Sequence, residues 1–468
     1  MASARLRVCA QGGDSCHEPG DRFEDERLVS HAEHGFRTLR GGGATLTSGR
    51  WVRGEGVLVA SPVSGGYEAI ICIYSGAPGL GGPRGHCVLV ALSPQGVNHR
   101  CDHSPVDSSA MTTRDVTLDV AKGIAIIAIV FGHVWRGLAS AGIIEDQALY
   151  ETVDTTVYMW HLAVFAFTAG LFVQQGMERR GAWAYARDRD LAFLWLYIVW
   201  SLIQGAVKIV AGASVNAQTS VMQVLQLWVP EGQLWFFGWI ALMMVFAAAV
   251  QPWRSSARAG GAVAVAVLVS FALWGLNGPV VGTQGLGLTV YFVFALLWRG
   301  DRVVVALRSA PLWALGLVIL VGAGFVWVSV VGIATPPTVG GTERSVISVA
   351  LGFAASTGLL VAVLATSRLI AAVPGLRAVI AGVGLRSMAV FVAHIIFAAG
   401  ARIALARAGV DHLTPHVILG TLAGVVGPLA LHAVAARVGA SWLFDAPTWL
   451  RVRAARRDSG RVDERQDH

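Results

Sequence analysis

From about residue 117 onward the chain repeats one pattern, an apolar run of about 17–24 residues followed by a short polar break. Ten such runs fall near 117–139, 157–175, 191–212, 233–251, 261–277, 284–299, 311–332, 345–366, 387–406 and 415–436. A helix needs about 20 apolar residues to cross a hydrocarbon core roughly 30 Å thick. The pattern therefore predicts an all-α, polytopic integral membrane protein with about ten transmembrane helices. Composition agrees. The chain is 54% apolar and 14% charged, against about 25% charged in soluble domains, and a soluble fold of 468 residues does not enclose that much apolar surface in one core. The fifth and sixth runs are the weakest, being joined by the short Asn277-Gly278-Pro279 turn.

The polar breaks alternate in charge. One set carries Arg179, Arg180, Arg187 and Arg189, then Arg254 and Arg258, then Arg299, Arg302 and Arg308, then Arg368, Arg377 and Arg386. The other set opens with Glu145, Asp146, Glu151 and Asp154, without Lys or Arg. The positive-inside rule makes the first set cytoplasmic and so predicts both termini inside. Arg402 and Arg407 depart from this at one outer loop, and Lys208, near an outer helix end, is expected to snorkel. The net charge of +7 is thus an orientation signal, and no nucleic-acid partner is expected. The expected location is the inner (cytoplasmic) cell membrane, multi-pass.

Residues 1–110 differ from the rest. They are rich in Gly, Ser, Arg and His, and their apolar patch near Ile70–Tyr74 is too short to span a bilayer. No charged n-region with an apolar h-region opens the chain. This segment is read as disordered, or as an extension translated from an upstream start that is not used, with Met111 as the natural start; a small regulatory domain is the rival. Residues 111–440 form the transmembrane domain and 441–468 a charged cytoplasmic tail. All five cysteines (Cys9, Cys16, Cys72, Cys87 and Cys101) precede the first span, so the membrane body has no disulfide, thiolate metal site or Cys nucleophile. No metal is expected.

The chemistry concentrates in the first two spans. Lys122 and His133 are eleven residues apart in the first, which puts them about 20° apart on one helix face and roughly 16 Å apart along the axis. Asp119 is one turn from Lys122 and positioned to pair with it; Arg136 lies one turn beyond His133. Ionisable groups in a span usually face a cavity. Each also has an ordinary alternative, Lys122 as an interfacial anchor and His133 as an interhelical hydrogen bonder. The second span begins Tyr158-Met159-Trp160-His161. Running antiparallel, it brings His161 to a depth similar to that of His133. Phe165 and Phe167 read as packing residues and Gly170 as a site of close helix approach. His412 and His416 read as loop histidines.

These stretches resemble the membrane-bound acyltransferase 3 family, which includes bacterial polysaccharide O-acetylases. The family's first span has Asp, then Arg or Lys with Gly-Ile, then ten residues, then His; Asp119, Lys122, Gly123, Ile124 and His133 match. The Lys-Gly-Ile form is most similar to the fucose 4-O-acetylase-like branch. In the second span His161, Phe165, Phe167 and Gly170 keep the family's spacing, while its Pro is replaced by Ala163 and its Ser by Ala169. Loss of the Pro predicts a straighter helix. Looser matches are Arg187 and Arg189 before the third span, Leu234-Trp235-Phe236, and the Gly384…Ser387…Phe391…His394 element. The resemblance covers about 111–440.

The resemblance implies transfer of an acyl group, usually acetyl, from cytoplasmic acyl-CoA to a hydroxyl of a cell-surface or lipid-linked carbohydrate. Lys122, Arg187 and Arg189 offer cations for the CoA phosphates. His133 suits the base that activates the hydroxyl, or a transient acyl carrier. His161 would orient it or stabilise the oxyanion. Asp119, Arg136, Trp235, Ser387 and His394 are supporting residues. The rival reading is a secondary transporter or glycan flippase, for which ten spans with buried His and Lys are also suited.

Overall fold

The computed structural model describes residues 116–450, apart from 217, 218, 277, 279 and 339–343, together with three earlier strands. The chain divides into two units, Met1–Ala110 and Met111–His468. In the first, β1 (Glu55–Val59), β2 (Tyr67–Ser75) and β3 (Gly85–Leu92) form an antiparallel sheet in the order β1-β2-β3. Glu55 lies opposite Ser75 and Tyr67 opposite Leu92. The apolar patch 70–74 belongs to β2. The rest of 1–110, and with it most of the segment read as a disordered or unused extension, lies outside the described residues, as does the tail from 451.

Among the described residues the second unit is all helical. Its α-helices are α1 (Thr117–Ser140), α2 (Gln147–Tyr158), α3 (His161–Gly170), α4 (Val173–Arg180), α5 (Ala182–Ala211), α6 (Val221–Leu225), α7 (Trp235–Val250), α8 (Ser256–Leu273), α9 (Thr289–Trp298), α10 (Gly300–Ser309), α11 (Leu312–Val330), α12 (Val346–Ala371), α13 (Pro374–Leu385), α14 (Ser387–Arg407) and α15 (Leu413–Arg437). Nine helical segments among the described residues are long and apolar enough to cross a membrane. The sixth expected run, 284–299, is shorter: its helical part is Leu286–Trp298, about 20 Å by helical rise. Val290, Phe292, Val293 and Leu296 in it are 0% exposed, so protein rather than lipid surrounds its backbone, which is where a short helix at membrane depth is tolerated.

Burial orders the helices from centre to rim. The spans Thr117–Ser140 and Gln147–Arg180 are 67% and 72% buried over their most apolar window, whereas Ser256–Leu273, Leu312–Val330 and Leu413–Arg437 are each 17% buried. The first two spans are therefore the core of the bundle, and the others present long apolar side chains such as Leu268, Leu320 and Leu422 outward. Close backbone contact holds α1 in place. A Cβ on Gly384 of α13 would lie 1.8 Å from the Asp119 carbonyl oxygen, and one on Gly123 of α1 would lie 2.2 Å from the Ile380 carbonyl oxygen. Gly170 allows the expected close approach, here of α3 to α9, where its Cβ would meet the Phe292 carbonyl oxygen at 2.6 Å.

The second span is broken where a straight helix was predicted. α2 ends at Tyr158 and α3 starts at His161, with Trp160 at φ −132° between them. A second break at Leu171–Phe172 separates α3 from α4. The absence of proline does not straighten the segment, because a side chain supplies the bond that sustains the first break: the His161 ring takes the Val157 carbonyl. Two smaller expectations also change. Lys208 does not snorkel freely; it forms an ion pair with Glu231. His416 is not on a loop; it lies in α15, 1% exposed, its Nε2 bonded to the Val410 carbonyl at 2.7 Å.

A histidine-lined cavity at one end of the bundle

Two histidines from two helices line one cavity of about 270 Å³, and a third stands behind one of them. α1 contributes His133 and, one turn later, Arg136; the α2–α3 break contributes Tyr158 and His161; and the start of α7 contributes Trp235 and Phe236. Loops close it with Gly232, Gln233, Gln284 and Thr338. The third histidine, His394 of α14, stands behind His133, their ring centroids 5.1 Å apart.

Hydrogen bonding assigns two of the three tautomers. The His161 Nδ1 lies 2.5 Å from the Val157 carbonyl oxygen. A carbonyl only accepts, so Nδ1 carries the proton and Nε2 of the neutral ring is an acceptor. His394 Nδ1 donates to the carbonyls of Val390 and Phe391 at 3.0 and 2.9 Å. Its Nε2 is buried and has no hydrogen-bond partner among the described residues. His394 is 0% exposed, so this leaves an acceptor lone pair stranded in the protein interior beside His133, a condition that native proteins seldom tolerate without use. No described residue hydrogen-bonds the His133 ring, which faces the cavity.

Arg136 is fixed from two sides. Its Nε and Nη2 donate to the two carboxylate oxygens of Asp154 at 2.6 and 2.7 Å, and its guanidinium carbon lies 3.5 Å from the centroid of the Tyr158 ring. The two-toothed pair holds the guanidinium flat, with its remaining N–H groups at the edge of the cavity it lines. Asp154 itself is held by α2, whose N-terminus is capped by Asp146 through Leu149 N–H at 3.0 Å.

The other expected residues sit elsewhere. Lys122 is paired with Asp119 at 2.7 Å, about 16 Å along α1 from His133 by helical rise, and does not line the cavity. Arg187 and Arg189 are exposed on α5. They lie roughly 30 Å by helical rise from Lys208, whose partner Glu231 precedes cavity-lining Gly232. The Arg189 guanidinium lies 5.3 Å from the Tyr185 ring centroid. Ser387 begins α14 two turns before His394. So His133, His161, Arg136, Trp235 and His394 gather at one end of the bundle, while Lys122, Asp119, Arg187, Arg189 and Ser387 lie away from it. Gln233, Gln284, Thr338, Tyr158 and Asp154 were not singled out as site residues. Only Gln233 had a local signal, its place beside the Leu234-Trp235-Phe236 element.

Among the described residues no group of three or more His, Cys, Asp or Glu is arranged to hold a metal ion. The arrangement instead offers neutral imidazoles, a fixed guanidinium and unpaired amide oxygens, a set suited to moving a proton and stabilising a developing negative charge. A family model described as an acyltransferase domain, that of the acyltransferase 3 family, matches residues 115–433. No curated protein and no solved structure matches the chain.

Proposed function

The chain belongs to the acyltransferase 3 family, and from that premise we propose that it moves an acyl group, acetyl in the simplest case, from cytoplasmic acyl-CoA to a hydroxyl of a cell-surface or lipid-linked carbohydrate, with His133 as the reactive imidazole. The observation that carries the reading is the meeting of His133, His161 and Arg136 on one cavity, with the stranded Nε2 of His394 behind His133.

In this reading the acceptor hydroxyl loses its proton to His133 as its oxygen attacks the thioester carbonyl carbon. A C–O bond forms and the C–S bond breaks. The departing CoA thiolate takes the proton back from the imidazolium, so the products are the ester and free CoA. A variant of the same chemistry passes the acyl group through His133 as a transient carrier. When His133 takes up the proton, the neighbouring His394 Nε2 is an acceptor ready for one of its N–H groups, which makes His394 a positioning residue. His161 presents an acceptor, which suits it to orienting the hydroxyl. The oxyanion role passes to Arg136, whose unused N–H groups are donors. Lys122, with Arg187 and Arg189, lies at the opposite end and would meet the CoA phosphates, the pantetheine arm spanning the distance along α1. The arginine-rich breaks put that end, and both termini, in the cytoplasm of a cell whose inner membrane the protein spans, with Leu286–Trp298 counted as a short crossing. The Lys122-Gly123-Ile124 form supports placement in the fucose 4-O-acetylase-like branch.

The test uses membranes carrying the full chain and labelled acetyl-CoA. Wild-type membranes should label a glycan or glycolipid fraction, and His133→Ala membranes with equal amounts of inserted protein should not. Retained turnover in His133→Ala removes His133 from the mechanism, and movement of glycan without acylation would favour a transporter.

A further inference from the structure

We propose that the part of the cavity wall formed by Gln233, Gln284 and Thr338 is a subsite for one neutral sugar ring, held through its hydroxyl hydrogens. The proposal rests on the acyl-transfer reading for the fate of that ring, and on the geometry alone for its binding.

Gln233 is 3% exposed and Thr338 2% exposed, yet both line the cavity. The Gln233 amide is oriented by its Nε2, which donates to the Phe391 carbonyl at 3.2 Å. Its Oε1 is thereby turned away from that bond and has no hydrogen-bond partner among the described residues. The Oε1 of Gln284 and the Oγ1 of Thr338 are buried and unpartnered in the same way. Buried polar atoms are almost always satisfied, so three orphans from three separate connecting segments on one cavity point to a ligand that satisfies them. Two of the three are amide oxygens and can only accept. The ligand must therefore bring hydrogen-bond donors.

Charge narrows the class. Among the described residues no free carboxylate lines the cavity, and the nearby Asp154 is already engaged by Arg136, so an amine or other cation finds no counter-charge among them and meets the guanidinium. An anion meets the amide oxygens, and the guanidinium that would attract it is shared with Asp154. A neutral polyol fits both limits. Trp235 and Phe236 supply flat apolar walls for the C–H faces of a ring. A volume of about 270 Å³ is just below the range of drug-sized ligand pockets, about 300–1,000 Å³, which suits one ring rather than an oligosaccharide. His133 on the same cavity then faces whichever hydroxyl the three oxygens leave ungripped.

The test is ligand-observed saturation-transfer NMR on the purified full-length protein in detergent, without any acyl donor, using methyl hexopyranosides, their single-deoxy analogues, and pantetheine as competitor. Thr338→Val is the leading variant, because its hydroxyl has no partner among the described residues and its removal should leave the melting temperature unchanged. Gln284→Leu and Gln233→Leu follow. At least one methyl glycoside should bind, with affinity falling about three- to tenfold in Thr338→Val and Gln284→Leu, the loss expected for one neutral hydrogen bond. The subsite is refuted if no methyl glycoside binds, or if binding is equal in all variants. It is also refuted if pantetheine displaces the glycoside and depends on the same three residues, since the cavity would then hold the donor arm. Acyl transfer from labelled acetyl-CoA, run in parallel on membranes carrying the same variants, separates the claims: transfer with variant-insensitive glycoside binding removes the subsite alone, and glycoside binding without transfer removes the acyl-transfer reading alone.

Discussion

Replacing His394 by Phe isolates its Nε2 at a modest packing cost. The side chain is fully buried and its ring stands 5.1 Å, centroid to centroid, from that of His133. Phe keeps a planar ring, though a larger one. The lost Nδ1 bonds run to the carbonyls of Val390 and Phe391, which lie within α14 and keep their helical partners, so neither oxygen is orphaned. The substitution also removes an unsatisfied Nε2 from the interior. That removal offsets part of the packing cost of the larger ring, so the folded state should change by about 1–2 kcal/mol. Catalysis should fall beyond what that destabilisation explains, because in the proposed reading the Nε2 accepts a charge-assisted hydrogen bond from His133 once that ring carries the transferred proton. A hydrogen bond to a charged group is worth about 1.5–3 kcal/mol, which at about 1.4 kcal/mol per decade gives a fall in kcat of roughly 12- to 150-fold. KM for acetyl-CoA should not move, since the proposed reading puts the donor's charged end at the Lys122 end of the bundle. His394→Gln, which keeps an acceptor oxygen, should recover part of the rate. The assay is initial-rate acyl transfer in membranes, with melting followed in detergent. A wild-type kcat in His394→Phe refutes the reasoning, as does a loss of kcat that merely tracks a loss of melting temperature in both variants.

Three further outcomes follow from the same geometry. Lys122→Ala should raise KM for acyl-CoA about tenfold with a smaller change in kcat, and adding Asp119→Asn should restore stability without restoring KM; an unchanged KM would detach Lys122 from the donor. Asp154→Ala should cost about 1–3 kcal/mol, below the 3–5 kcal/mol of a fully buried pair, because the Arg136 and Asp154 side chains are 30% and 11% exposed; it should also lower kcat by freeing the guanidinium from its fixed plane, and melting together with kcat at wild-type values would count against both effects. Gly384→Leu should destabilise the bundle by about 1–3 kcal/mol through the clash with the Asp119 carbonyl, visible as a lower melting temperature, whereas Gly382→Ala, with nothing within 4 Å, should not.

The spans were legible because a bilayer imposes a length and a hydrophobicity that can be counted residue by residue. The exception, Leu286–Trp298, is short because it needs to satisfy a protein environment rather than the bilayer's thickness, and only packing reveals that. The break at Trp160 was hidden for a related reason. Proline is the visible cause of helix breaks, but here the Val157 carbonyl is taken by the ring of His161, and the sequence marked that histidine for its chemistry without showing that it bends the chain.

The site divides along the same line. His133, Arg136 and His161 were found from helical spacing, since residues that share a helix, or lie at matching depths on adjacent helices, stay related whatever the loops do. His394 was found by motif but could not be set against His133, because 260 intervening residues carry no spacing rule across the bundle. Gln284 and Thr338 were invisible and Gln233 had only its place beside Leu234-Trp235-Phe236 to mark it: each comes from a different connecting segment, and an amide or hydroxyl in such a segment is by default solvated. Their significance lies in being buried without partners, a property that exists only once three such segments fold onto one cavity. The charge logic follows from this. In the proposed reading the end of the bundle that carries Lys122, Arg187 and Arg189 meets a polyanionic donor, whereas the cavity beside the imidazoles is lined by one described guanidinium, already engaged by Asp154, and by acceptor oxygens. A chain built to carry one anionic solute through would be expected to place similar groups along its whole path. This one places dissimilar groups at its two ends, with the imidazoles beside the second, which agrees with the proposed joining of two different molecules.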